Sequence, residues 1–177
     1  VYVHDGIYYE NVVVNKLNLR LIGENRSTTI IDGNGIGTVV RITANEVSVS
    51  GFTIRNAGID WLFPEEMGRG ISLNSNGNVI SGNNVNNNPE YGIYLEYSNG
   101  NIISDNNVTN NYGSIHLYLS GSNIVSDNNV ISNCFGITLA YSGSNTLRNN
   151  NMADNKYNFG LWGFEPSEFI QNIDASN

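Results

Sequence analysis

Four segments of the chain share one alternation of apolar and polar positions. They read NVISGNNVNNN from Asn78, NIISDNNVTNN from Asn101, NIVSDNNVISN from Asn123 and NTLRNNNMADN from Asn145, and they start 23, 22 and 22 residues apart. Between them a second pattern recurs at the same interval: GISL at Gly70, GIYL at Gly92, SIHL at Ser114, GITL at Gly136 and, more loosely, GLWG at Gly160. An earlier, degenerate copy, TVVRITANEVSVSGFTIRN, begins at Thr38; its Val40 and Ile42 precede Ile71 and Leu73 by 31 residues. The extra length falls in one insertion, AGIDWLFPEEMGR, over residues 57–69.

Each short run alternates with the period of a strand, and Asn, Gly and Ser, which tolerate unusual backbone angles, separate the runs. Three such runs per unit of about 22 residues predict one turn of a parallel β-helix, an all-β solenoid. Leucine-rich repeats have a similar length but need a Leu-dominated consensus and often a helical arm, and neither is present. The reading is one domain over 1–177: irregular, wider first coils in 1–45, regular repeats in 46–163 with the insertion at 57–69, and a C-terminal segment from 164 to 177. Such a solenoid would have roughly six coils and be about 30 Å long.

Stacking gives the 33 asparagines of the sequence a structural task. Equivalent residues of successive coils lie about 4.8 Å apart, so inward-turned amides can hydrogen-bond up the stack and to the corner backbone. Three columns are expected: Asn78, Asn101, Asn123, Asn145; Asn83, Asn106, Asn128, Asn150; and Asn88, Asn111, Asn133, Asn155. Apolar columns run between them: Ile80, Ile103, Val125, Leu147; Val85, Val108, Val130, Met152; Ile71, Ile93, Ile115, Ile137, Leu161; and Leu73, Leu95, Leu117, Leu139. Neither terminus supplies a cap, which an open coil normally needs, so the chain reads as a fragment of a longer protein or as an element that stacks on something.

Composition narrows the partners. Eight basic against 16 acidic residues leave no positive patch for a phosphate backbone or an anionic lipid surface. Nucleic acid and membrane are therefore not expected as partners, and no apolar run is long enough to span a bilayer. The one cysteine, Cys134, cannot form an internal disulfide.

The N-terminal stretch GIYYENVVVNKLNLRLIGENRSTTIIDGNG, followed by repeats of the form N-x-I-x-x-N-x-I-x-x-N and then G-I-x-L, resembles the right-handed parallel β-helix repeat family. Within it the likeness is to NosD-type periplasmic copper-processing proteins and to archaeal cell-surface proteins with carbohydrate-binding and sugar-hydrolase repeats. The resemblance covers nearly the whole chain and rests on corner and core positions. It implies an extracellular or cell-surface location, association with polysaccharide, and, in relatives, a capping helix at the start that is absent here. The sequons at Asn25 and Asn107 fit export.

Candidate chemistry lies on the G-I-x-L strands. If Ile and Leu point inward, a first outward column is Arg41, Ser72, Tyr94, His116, Thr138, Trp162 and a second is Thr43, Asn74, Glu96, Tyr118, Ala140, Phe164. The insertion, with Asp60, Trp61, Glu65, Glu66 and Arg69, precedes this strand and can fold over it. In the pectate-lyase-like β-helices that the fold resembles, the substrate groove lies on this strand. Aromatic faces stack on sugar rings while carboxylates and Arg bind hydroxyls or uronates, so Arg41, Tyr118, Trp162, Asp60, Trp61, Glu65, Glu66 and Arg69 are candidate substrate contacts. The other reading is that Tyr, Trp and Thr simply suit outward strand positions.

Catalysis is left open by the residues. Hydrolysis needs two carboxyl groups about 5 to 9.5 Å apart, and Glu96 would require Asp60, Glu65 or Glu66 as partner. Lyase or epimerase chemistry would use His116 or Tyr94 as base with an arginine on the uronate. Asp105 and Asp127 occupy equivalent places one coil apart; hydrated aspartates account for them, and calcium, though possible between like charges, has no further support. His4, His116 and Cys134 are isolated, so no metal site is assigned and no cofactor is expected. DGNGIG at Asp32 precedes a strand, whereas a phosphate loop opens a helix. The expected function is a surface module that binds or processes polysaccharide; its rival is a scaffold that assembles with copies of itself through coil ends or flat faces.

Overall fold

The computed structural model describes residues 1–58 and 68–163. Their strands form a right-handed parallel β-solenoid with three parallel sheets of seven strands each. Every coil contributes one strand to each sheet in turn. The register follows the repeat: Ile80 pairs with Ile103 and Ile103 with Val125 in the first sheet, Val85 with Val108 and Val108 with Val130 in the second, and Ile93 with Ile115 and Ile115 with Ile137 in the third.

The described residues form seven coils where the repeat count predicts six. The irregular N-terminal segment holds two complete coils, Tyr2–Val3, Gly6–Tyr9 and Val12–Val14, then Arg20–Gly23, Thr29–Asp32 and Val40–Ile42. The surplus residues between Asp32 and Val40 form a loop that Gly58 underlies. A Cβ on Gly58 would stand 1.8 Å from the Gly35 carbonyl oxygen, so this contact needs glycine.

The inward columns are where the pattern puts them: Ile71, Leu73, Ile93, Leu95, Ile115, Leu117 and Ile137 are fully buried. The three asparagine columns are buried too, apart from a partly buried Asn155 at the end of the third. In each, Oδ1 accepts from both the backbone N–H and the side-chain amide of the equivalent asparagine one coil earlier. Asn106 donates to Asn128 at 3.1 Å from each nitrogen, and Asn128 passes its own amide to Asn150 at 2.9 Å, to the Ile103 carbonyl at 2.8 Å and to the Ser126 carbonyl at 3.0 Å. Burying these amides is tolerable because their hydrogen bonds are made.

Further ladders run outside these columns. Ser75, Ser98 and Ser120 each donate a backbone N–H to the hydroxyl of the serine one coil on, ending at Ser142. On the outer surface of the second sheet Asn151 donates to Asn129 at 2.7 Å and Asn129 to Asn107 at 2.8 Å. Asp105 and Asp127 are explained by backbone geometry. They share a left-handed corner with Gly82 and Asn149, with φ of 57°, 58°, 66° and 53°, a conformation Gly, Asn and Asp accept most readily. Both aspartates are exposed.

The last repeat needs a correction. Alignment of GLWG with GITL places Leu161 beside Ile137 and Trp162 beside Thr138. The structure instead pairs Ile137 with Phe159, Thr138 with Gly160, Leu139 with Leu161 and Ala140 with Trp162. The 22-residue interval is kept, and Trp162 joins the column of Glu96 and Tyr118.

Candidate functional site

The third sheet carries the longest strands, six residues each in Tyr91–Glu96, Gly113–Tyr118, Phe135–Ala140 and Tyr157–Trp162. Its outer face combines a closed polar-aromatic cluster with an exposed row of rings.

The cluster is built around His116. Tyr94 and His116 are register partners, and their rings stack at 5.4 Å between centroids and 19° between planes. Tyr91 adds a third ring, 4.7 Å from His116 and tilted by 17°. It can lie there because its neighbour in the next coil is Gly113, where a Cβ would stand 2.4 Å from the Tyr91 ring. Arg69 completes the cluster, its guanidinium 3.6 Å from the Tyr94 ring centroid and its Nε donating to Glu90 at 3.0 Å.

The outward column Ser72, Tyr94, His116 and Thr138 is buried nonetheless, Tyr94 and His116 being 7% exposed. The physical reason is lateral packing: flat rings one coil apart cover one another. Burial pushes the Tyr94 phenol up to about 12, against the opposing effect of Arg69. Burial, with Arg69 adding to it, pulls the His116 imidazole down to about 4. At neutral pH the phenol keeps its proton and the imidazole is neutral, with Nδ1 2.6 Å from the Thr138 hydroxyl.

The exposed row lies along the far edge of the same sheet. Tyr118 is flanked edge-on by Tyr97 and Tyr141, each 6.2 Å away between centroids. Tyr97, Leu119 and Tyr141 hold φ of 49°, 47° and 49°. Bulky side chains are rare in this region, and each costs about 1 to 2 kcal/mol there. Tyr97 is 63% exposed, Tyr141 53% and Trp162 46%, with Tyr118 half-buried among them. Trp162 stands 6.1 Å from both the His116 and Phe135 rings, joining row and cluster.

Of the remaining candidates, Glu96 is half-buried and accepts from Asn74 at 3.2 Å. Arg41 is in register with Ser72, two coils from Tyr94. Asp60, Trp61, Glu65 and Glu66 lie outside the described residues. Sequence reasoning missed Glu90, Tyr91, Tyr97 and Tyr141. One signal was available: Tyr91, Gly113, Phe135 and Tyr157 recur at intervals of 22 and form one column. Among the described residues no group of three or more His, Cys, Asp or Glu side chains could hold a metal ion. His4 faces Glu24 at 3.1 Å on the first coils, far along the stack from His116.

A family model described as "Periplasmic copper-binding protein (NosD)" matches residues 1–164. Among solved structures the chain resembles a pectin methylesterase from Yersinia enterocolitica, at 15% identity and a TM-score of 0.52, over 89% of this chain and 63% of that one. At that identity the likeness is one of fold, and the chain spans less than two thirds of the esterase. No curated protein matches it in sequence.

Proposed function

The chain belongs to the family of periplasmic copper-binding proteins (NosD), and from that premise we propose that it is an exported β-helix module whose third-sheet face binds a polysaccharide. The carrying observation is the row Tyr97, Tyr118, Tyr141 and Trp162. Two of its four rings are held exposed at corners where glycine or asparagine would be unstrained, and strain kept at an exposed aromatic is motivated by a surface it presents. Such rings stack on sugar faces while their polar tips remain wet.

The buried cluster supports binding over bond cleavage. A phenol near 12 and an imidazole near 4 are poorly matched to proton transfer at neutral pH. Their service is to fix the platform beside Trp162. Arg69 and Glu90 neutralise one another, and a net charge of −8 disfavours a polyanion, so the polymer is neutral. The family's name points to copper. His4, His116 and Cys134 do not converge, and no cluster among the described residues could hold a metal ion, so the residues described do not fit such a site.

Binding of the purified protein to immobilised neutral polysaccharides tests this reading. Wild type is expected to be retained without releasing product, and a Tyr118→Ala, Trp162→Ala double variant to lose most of that retention. Equal retention of the two proteins, or none by wild type, removes the proposal.

A further inference from the structure

A shallow concave surface lies at the corner where the second sheet passes into the third. It is a cleft of about 630 Å³, with Tyr9 and Tyr112 among its walls. Tyr9 ends a strand of the first coil, Asp32 pairs with it in the second, and Tyr112 directly precedes the fifth-coil strand Gly113–Tyr118. The cleft therefore runs along the solenoid for four coil steps, about 19 Å.

Its chemistry is neutral and amide-rich. Asp32 is buried, but its charge is met: Oδ2 accepts from Arg55 at 2.8 Å and Asn56 at 2.9 Å, and Oδ1 from the Asn34 backbone at 3.0 Å. Burial pushes this carboxyl up, and these bonds more than reverse it. Asn34, Asn87 and Asn110 line the cleft as exposed residues in the left-handed conformation, with φ of 53°, 55° and 56°. Their amides offer paired donors and acceptors, the complement of vicinal hydroxyls. Tyr9 and Tyr112 are exposed by 66% and 54%, and the Tyr112 ring is braced edge-on by Phe135 at 5.4 Å. Aromatic walls around a few polar groups suit a pyranose ring better than an ion or a peptide.

We propose that this cleft is a second carbohydrate subsite, taking a short neutral oligosaccharide laid along the solenoid axis from Tyr9 to Tyr112. In its ligand class it rests on the polysaccharide reading above; its residues are separate from that face.

The test is an NMR titration of the full chain with cellohexaose, xylohexaose and mannohexaose, following backbone amides. It uses wild type, a Tyr9→Ala, Tyr112→Ala variant and the Tyr118→Ala, Trp162→Ala variant. At least one hexasaccharide should shift Asn34, Asn87 and Asn110 in wild type and in the third-sheet variant, with affinity about tenfold weaker in the cleft variant, as loss of aromatic stacking would give. No shift at these amides with any of the three, or equal affinity in wild type and the cleft variant, overturns the inference. Third-sheet shifts with a silent cleft overturn it alone. Cleft shifts with a silent third sheet uphold it and remove the first reading. No shift anywhere removes both.

Discussion

Arg69 lies over Tyr94, its guanidinium carbon 3.6 Å from the ring centroid, and from there it also reaches Glu90. One arginine thus joins a half-buried carboxylate to the ring stack. Replacing it with alanine removes the cation–π contact and leaves Glu90 without its cation.

Arg69→Ala should cost about 2 kcal/mol at neutral pH, as for loss of a charged hydrogen bond in a partly buried setting. Glu90 is already raised above 4.5 by burial, with Arg69 opposing the rise. A raised carboxyl contributes stability at pH below its unfolded value and loses it as pH rises through its folded value. Without Arg69 the rise is larger, so the deficit of the variant should shrink as pH falls toward 4.5. Urea unfolding of both proteins across pH checks this; a deficit independent of pH would rule out the role of Glu90.

His116 has the opposite sign. Its folded value is depressed from 6.5 to about 4, so its contribution is full above 6.5 and is lost as pH falls through 4. The difference corresponds to about 3 kcal/mol. Wild type should lose this much more stability than His116→Gln between those limits, measured by chemical denaturation at each pH.

Gly113→Ala tests why the histidine is buried. The added methyl would meet the Tyr91 ring rather than backbone, so the fold should survive while the ring swings away. The His116 imidazole should then titrate nearer 6.5, visible in its ring proton shifts. An unchanged titration would show that Tyr91 does not enforce the burial.

Asn128→Ala removes the acceptor of two Asn106 donors and a donor to two carbonyls and to Asn150. A buried N–H and buried carbonyls lose their partners, so a loss of about 4 kcal/mol is expected. Asn129→Ala, on the outer ladder, should cost under about 1 kcal/mol because water replaces the amide. Equilibrium unfolding of the pair separates burial from mere repetition.

Much of this protein was legible as a string. A recurring interval of 22 or 23 admits one stacking, and that stacking fixes which Ile, Val and Leu turn inward and why Asn recurs at the corners. The ends are less legible. In residues 1–45 the coils are unequal in length, so no fixed interval marks the two they hold. In the last coil GLWG matches GITL in wording but not in register, which puts Trp162 two residues from its place. A strand tolerates only the register that keeps Phe159 and Leu161 over Ile137 and Leu139.

The interval alone therefore determined the solenoid, its core columns and its amide ladders, because each depends only on a residue meeting its own equivalent one coil away. The buried stack at His116, the exposed tyrosine row and the cleft between Tyr9 and Tyr112 were decided by tertiary structure. They depend on sideways contacts between different columns, on a ring filling the space left by Gly113 and on coils whose lengths differ, and no repeat encodes those.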